Sequence, residues 1–258
     1  MHARKMPNIH KAQSPYVVIF SDVHIGAIEH NPELLAEVVE WCLENKATVI
    51  LNGDIVENAI LGGDDAAGDK LLGQGMSPTD QVMQAVQVFR PLAENGQIIA
   101  STRGNHEART RRKSLLDISE LVSFVLRVPY IGVGGLLRIK YEGRVWNFAV
   151  HHGSSGGANP WTEVAKVANL YPEADVVALG HNHHLDSKRV GYIGLNDAGE
   201  EVRKERIFVR TGSYLGYADY VREMKLTPER QGSPLLILPA KDETQAIECD
   251  LRTLSEDA

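Results

Sequence analysis

Apolar and polar positions fall along this chain in blocks that read as strand, helix, strand, helix. Tyr16–Phe20 is a near-continuous apolar run, the pattern of a strand buried on both faces. Asn31–Pro32 then opens a helix, with asparagine as N-cap and proline at the first helical position. Leu34, Leu35, Val38, Val39 and Cys42 give it an apolar stripe at helical spacing. Ala47–Leu51 predicts the second strand. Ser77–Pro78 starts a second helix, with Asp80 completing a capping-box-like pattern and Val82, Ala85, Val86 and Phe89 on its inward face. Ile98–Ser101 predicts the third strand.

The pattern changes after Ser114. Leu115–Val128 reads as one helix, and Leu136–Tyr141 with Val145–Val150 as a hairpin turning at Glu142-Gly143, where glycine tolerates positive φ. Trp161–Leu170 reads as a helix and Asp175–Leu179 as a strand. Arg189–Leu195 and Arg203–Arg210 form a second hairpin around Asn196–Gly199, and Leu235–Leu238 and Ala246–Cys249 supply the last strands. The alternation favours an α/β sheet. A mostly parallel half followed by an antiparallel-rich half predicts two packed sheets flanked by helices, in one domain from residue 15 to 258. Ala59–Met76, rich in Gly, Asp and Ala, is longer than a routine connection of roughly 4–6 residues. It reads as an insertion, either a surface loop or a lid beside a site. Met1–Ser14 is polar, without the apolar core of a secretory signal, and reads as a flexible arm.

Composition narrows the class. With 258 residues, 43% hydrophobic and 24% charged, the chain is globular and long enough for a full core. Two cysteines far apart, Cys42 and Cys249, point to a reduced, cytoplasmic protein. No apolar stretch reaches the roughly 18 residues of a membrane span. A net charge of −7 argues against a surface that coats nucleic acid, while leaving room for a local basic groove. Oligomeric state is open, and a homo-oligomer is compatible with the sequence.

The chemistry lies in five short polar stretches, each following a predicted strand: Asp22-Val23-His24, Gly53-Asp54, Gly104-Asn105-His106-Glu107, His151-His152-Gly153 and Gly180-His181-Asn182-His183. Most of the ten histidines fall in them. Taken singly, Asp-x-His or Gly-Asp marks a turn as readily as a ligand. Five such stretches, all at strand ends, bring carboxylate, amide and imidazole donors to one edge of a sheet. Oxygen and nitrogen donors without thiolate suit Mn²⁺, Fe²⁺ or Zn²⁺, and a calcium cage would need more oxygens.

In this order, over roughly Tyr16–His184, the five stretches resemble the motif set of the calcineurin-like metallophosphoesterase superfamily. The resemblance implies a four-layer α-β-β-α sandwich of two mixed sheets flanked by helices, with a dimetal site at the sheet edges. It implies that Asp22, His24 and His183 hold one metal. Asn105, His181 and a histidine of the 151–152 pair would hold the other, with Asp54 bridging both. The superfamily places that histidine before glycine, which favours His152; strand alternation would turn His151 to the opposite face. The cofactors implied are two divalent ions, Mn²⁺ first, with Fe²⁺, Zn²⁺ or Ni²⁺ as alternatives. His106 would give a proton to the leaving oxygen and, with Asn105, contact the phosphate. Glu107 would orient His106 or place a favourable charge at a helix start. Gly53-Asp54-Ile55-Val56-Glu57-Asn58 departs from the Gly-Asp-x-Val-Asp-Arg-Gly signature of the protein phosphatases, which puts phosphoprotein phosphatase activity in doubt.

Arg103, Arg109, Arg111, Arg112 and Lys113 concentrate positive charge around the third motif, the pattern of a phosphate contact or of a solvated helix start. Arg109 is the nearest candidate for binding substrate. Tyr214, Tyr217 and Tyr220 read either as a platform for stacked bases or as core and dimer contacts. Together they point to a phosphodiesterase or nuclease acting on nucleic acid or nucleotides. A phosphomonoesterase and a non-catalytic scaffold of the same fold are the alternatives; scaffold members often lose ligands, whereas Asp22, Asp54, Asn105 and His106 are all present here.

Overall fold

The computed structural model describes residues 9–60, 75–154, 160–196, 198–216, 230–240 and 247–250. Two mixed sheets lie face to face. The first carries β2 (Tyr16–Phe20), β3 (Thr48–Asn52) and β4 (Ile98–Thr102) in parallel, extended by β10 (Leu235–Ile237) and β11 (Glu248–Asp250), in the order β11-β10-β2-β3-β4. The second runs β1-β5-β6-β7-β9-β8, from β1 (His10–Lys11), β5 (Gly134–Tyr141), β6 (Arg144–His151), β7 (Val176–Leu179), β8 (Leu185–Leu195) and β9 (Glu201–Thr211). Within it, β6, β7 and β9 are parallel neighbours.

Strand alternation assigns each side chain to a layer. On β2, Val17 and Ile19 point between the sheets, where they meet Phe148, Val150, Val176 and Val209 of the second sheet. Val18 and Phe20 point outward against α1 (Pro32–Glu44), α2 (Pro78–Glu94) and α4 (Ile118–Leu126). On the far side, Ala149, Val177 and Phe208 pack on Val164 and Ala168 of α5 (Pro160–Leu170). The result is the helix–sheet–sheet–helix stack expected. The two caps form as expected as well: Asn31 accepts from Leu34 N at 3.0 Å, and Ser77 from Asp80 N at 3.2 Å. Glu142 and Gly143 both take positive φ (41° and 81°), the turn that a two-residue hairpin requires.

Several expectations shift. The helix expected over Leu115–Val128 is present but shorter, α4 at Ile118–Leu126: α3 (Glu107–Ser114) occupies the basic stretch before it, Leu115 turns left-handed at φ 63°, and Asp117 N-caps α4. The apolar pattern runs through the break because Leu115 and Leu116 are exposed rather than core residues. The second hairpin starts earlier than Arg189, because Asp186–Lys188 pair at the sheet edge while their polar side chains stay at the surface. Part of the N-terminal stretch is anchored, with His10–Lys11 pairing parallel to Ile139–Lys140. Residues 1–8 and most of the insertion, 61–74, lie outside the described residues. Cys42 and Cys249 are unpaired. Among the described residues no helix is long and apolar enough to cross a membrane.

Tyr214 is fully buried, stacked on Phe20 at 5.9 Å between ring centroids, with its hydroxyl 2.8 Å from Ser233 Oγ. It therefore belongs to the core instead of a base-stacking platform; Tyr217 and Tyr220 lie outside the described residues. Tyr214→Ala is expected to lower the free energy of unfolding by about 3–5 kcal/mol, the usual loss for a buried aromatic. Urea denaturation showing native stability would place this ring elsewhere.

Candidate metal centre

All five polar stretches follow the C-terminal ends of strands, those of β2, β3, β4, β6 and β7. Asn52 joins the two sheets there. Its side-chain amide donates to His151 O at 2.9 Å, and its carbonyl accepts from His152 Nδ1 at 2.8 Å. The loops are pinned in unusual backbone. Asp22 (φ 51°), His24 (53°), Asp54 (50°), His181 (75°) and His183 (59°) are all left-handed, a conformation uncommon for residues other than glycine and concentrated at functional sites.

The side chains converge in two groups. In one, His24 Nε2 lies 3.3 Å from His183 Nε2, and His183 Nε2 lies 3.4 Å from Asp22 Oδ1. In the other, His152 Nε2 lies 3.1 Å from Asp54 Oδ2 and 3.0 Å from Asn105 Oδ1, which is itself 2.6 Å from His181 Nδ1. Asp54 Oδ2 also lies 4.0 Å from His24 Nε2, which puts this carboxylate between the groups. Asp22–His24–His183 and Asp54–His152–His181 each present three donor atoms within 4.8 Å of one another. His106 Nε2 stands 3.8 Å from Asp54 Oδ2, with part of its ring exposed.

Of the two adjacent histidines, His152 is buried and faces this cluster. His151, the last residue of β6, turns away, its Nε2 3.2 Å from the Tyr171 hydroxyl. Arg109 does not reach outward as a phosphate contact would. It is 4% exposed and donates to the Glu57 carbonyl at 2.7 Å and to Glu57 Oε1 at 3.2 Å. Arg103 donates to Asp117 Oδ2 at 3.0 Å, and Arg111 Nε lies 3.7 Å from the same oxygen. Arg103 and Arg109 are thus engaged within the protein, because α3 turns Arg109 inward and Asp117 follows it beside Arg103, while Arg111, Arg112 and Lys113 stay exposed.

Glu107 supports the centre through the backbone. Its Oε2 accepts from Asp54 N at 3.0 Å and Gly104 N at 3.2 Å, while Oε1 accepts from Ile55 N at 2.7 Å and Val56 N at 3.2 Å. It starts α3 as expected, but its carboxylate faces these amides rather than His106. Burial and the neighbouring Asp54 charge push its pKa up to about 7. Gly104 has no alternative here, since a β-carbon would overlap the Asp54 carboxylate. Ser21, Asn52, Glu57 and Asn58 complete the surroundings; Ser21 and Asn52 carry no signal beyond being polar residues at strand ends, and Glu57 and Asn58 stand in the stretch after Gly53-Asp54 that departs from the phosphatase signature. Ser21 Oγ donates to Asp22 Oδ2 at 2.5 Å, and Asn58 Nδ2 to His106 O at 2.8 Å.

The electrostatics fit a pair of cations. Asp22 and Asp54 are fully buried, which opposes ionisation. The imidazoles outweigh it and hold both below the ordinary carboxylate range, His152 acting first on each. The reciprocal effect is large: despite burial, the charges of Asp54 and Asp22 push His152 up to about 10. A site that holds a buried imidazole protonated favours positive charge strongly. Divalent cations compete with that proton for the same oxygen and nitrogen donors. Carboxylate, amide and imidazole without thiolate suit Mn²⁺, Fe²⁺ or Zn²⁺.

The calcineurin-like phosphoesterase family matches the chain over residues 15–185. No curated protein matches it in sequence. Among solved structures, it is similar to Vps29 from Entamoeba histolytica complexed with Zn²⁺, at 14% identity over 91% of this chain and 97% of that one, with a TM-score of 0.42. A predicted phosphoesterase from Streptococcus pneumoniae is 13% identical over 86% of this chain and 80% of its own, at a TM-score of 0.37. A hypothetical protein from Pyrococcus horikoshii is 12% identical over 92% and 87%, at 0.45.

After loading with Mn²⁺ and desalting, elemental analysis is expected to find about two ions per chain, the number a bridging carboxylate serves. Asp54→Asn should deplete both ions together, and Asp22→Ala mainly one. One ion or none in the native chain would contradict the two-group geometry. Glu107→Ala leaves four buried amides without their acceptor. At about 1–3 kcal/mol for each unsatisfied group, partly relieved by water, it should lower stability by more than about 3 kcal/mol.

Proposed function

The chain belongs to the calcineurin-like phosphoesterase family, and from that premise we propose that it is a metal-dependent phosphoester hydrolase whose substrate is a phosphodiester of nucleotide type. The observation that carries this reading is the convergence of seven donor residues, Asp54 among them, in two adjoining groups, with His106 3.8 Å from Asp54 on the partly open side. Two divalent cations, Mn²⁺ first, would neutralise the phosphoryl oxygens and lower the pKa of a water at the centre. Asp54 holds the two groups of donors together. Asn105 adds an oxygen without adding charge, which keeps the centre positive towards an anionic substrate. His106 Nε2 holds the proton delivered to the leaving oxygen, and an imidazole is suited to that exchange near neutral pH.

A cleft of about 310 Å³ adjoins Asn105 and His152, walled by Ala108, Val133, Val167 and Leu179 with Arg103 and Glu163 at its polar side. Space of this kind beside the centre accommodates a second organic substituent on phosphorus, which supports a diester over a monoester. Two features weigh against an extended nucleic acid: Arg109 is internal, and Tyr214 is a core residue. Hydrolysis of bis-p-nitrophenyl phosphate should therefore exceed that of p-nitrophenyl phosphate with Mn²⁺ present. The reverse order would make the protein a phosphomonoesterase. No turnover of either, with metals bound, would leave a scaffold.

His106→Ala is expected to keep both metals and the fold while turnover of an alkyl phosphodiester falls by roughly 10²–10⁴, equivalent to about 3–5 kcal/mol of barrier. The loss should be smaller for a nitrophenyl ester, whose leaving group needs little protonation. His152→Ala should instead lose metal first and recover partly at high Mn²⁺. If His106→Ala behaves in that second way, His106 is a ligand and not the proton donor.

A further inference from the structure

We propose that the second sheet holds a docking slot for one extended, acidic peptide segment of a partner protein, which enters between β6 and β9 as an added strand. The slot lies at the N-terminal end of β7, whereas the candidate metal centre lies beyond its C-terminal end. The inference therefore goes beyond the hydrolytic reading and does not depend on it.

β7 is shorter than the strands on either side of it. It pairs with β6 from Phe148 onward and with β9 from Ile207 onward. Arg144–Asn147 of β6 and Glu201–Arg206 of β9 continue past its first residue with no strand between them. Asp175 closes the upper end of this gap. Its N–H donates to Asn147 O at 2.9 Å, its carbonyl accepts from Ile207 N at 2.9 Å, and its carboxylate accepts from Asn147 N at 2.8 Å. The chain reaches Asp175 from α5 through a turn, Ala174 N donating to Tyr171 O, and so leaves the gap below unfilled. Two strands that flank a missing third stand about 9–10 Å apart, which is room for a single strand.

Strand parity turns backbone groups into this gap. Asn147 O and Ile207 N face β7, so Val145 on β6 and Arg203 and Glu205 on β9 present their N–H and C=O to the same side. None of these groups has a backbone partner among the described residues. Unpaired rows of this kind are what an added strand binds.

The side chains select the charge of that strand. A cavity of about 930 Å³ opens here, and its lining carries four cations against three carboxylates among the described residues. Arg144 and Lys204, both exposed, have no ion-pair partner among those residues. Arg144 lies over the Trp146 ring, 3.6 Å from its centroid. Trp146 is 3% exposed and its indole N–H has no hydrogen-bond partner among the described residues, an uncommon state for a buried donor. An incoming strand with alternating acidic side chains meets both free cations and brings acceptors to this wall. An edge strand of a second copy, still paired on one side, has no room between two strands.

The test uses the ¹⁵N-labelled full chain and the probe peptide acetyl-Glu-Leu-Glu-Leu-Glu-amide. Adding the peptide should shift the amide signals of Val145, Arg203 and Glu205 and slow their hydrogen exchange. N-methylation of its central residue should weaken binding by about 10-fold or more, since a strand bond can no longer form. The same peptide with lysine in place of glutamate should bind as poorly. In Arg144→Glu and in Lys204→Glu the preference for the acidic peptide should shrink or reverse, with Mn²⁺ stoichiometry unchanged. No binding of the acidic peptide at about 1 mM overturns the proposal. So does equal binding of the N-methylated or the lysine peptide, or protection that appears along the outer edge of β8 instead. Val145 and Glu205 amides that are protected without peptide, in proportion to protein concentration, would place a second copy in the slot and overturn it as well.

Discussion

Two carboxylates buried side by side, Asp22 and Asp54, set the terms for everything around them. A buried anion is tolerated only when opposite charge and hydrogen-bond donors reach it, and here they do. Imidazoles from four different loops approach these two groups, and backbone N–H groups of His106 and His181 donate to them at 2.8–3.1 Å. Such an arrangement is costly for a protein that only needs to fold, since an apolar junction between the sheets would be simpler. Its justification is the cation that the same donors can hold.

The scaffold delivers this cluster by a simple device. Parallel strands of two stacked sheets end at the same level, so loops that are far apart in the chain open onto one place. Asn52 spans the seam, bonding to both His151 and His152 of the opposite sheet. Glu107 ties the loop after β3 to the loop after β4 through three amides and braces its own loop through Gly104 N. Five of the donor residues sit in left-handed backbone that the surrounding bonds hold in place. Precision at the centre is therefore a property of the loops' hydrogen bonding as much as of the donors themselves.

The positive charge near the third motif has a structural use. Asp117 N-caps α4 and gathers Arg103, Arg111 and the Tyr130 hydroxyl, while Arg109 turns inward to Glu57. Of the basic side chains that look in sequence like a track for a polyanion, Arg103 and Arg109 are bound into the wall of the site, while Arg111, Arg112 and Lys113 stay exposed.

The sequence alone determined the layers and the donors. The apolar runs at Tyr16–Phe20, Ala47–Leu51 and Ile98–Ser101 leave little choice but strands buried on both faces, and the polar triplets after them leave little choice but a shared edge. Local signals were legible where the physics is local: the Asn31 and Ser77 caps, and the Glu142-Gly143 turn. Direction and partnership were not legible. Nothing in Arg109 or Tyr214 says which way the side chain points, because that depends on what the fold places opposite it. The break at Leu115 escaped the apolar pattern for a related reason, since exposed leucines read the same as buried ones. Glu57 lies 33 residues from His24 and 49 from His106 in sequence, and only the packing of the loops brings its carboxylate to the first imidazole and its main-chain carbonyl to the second.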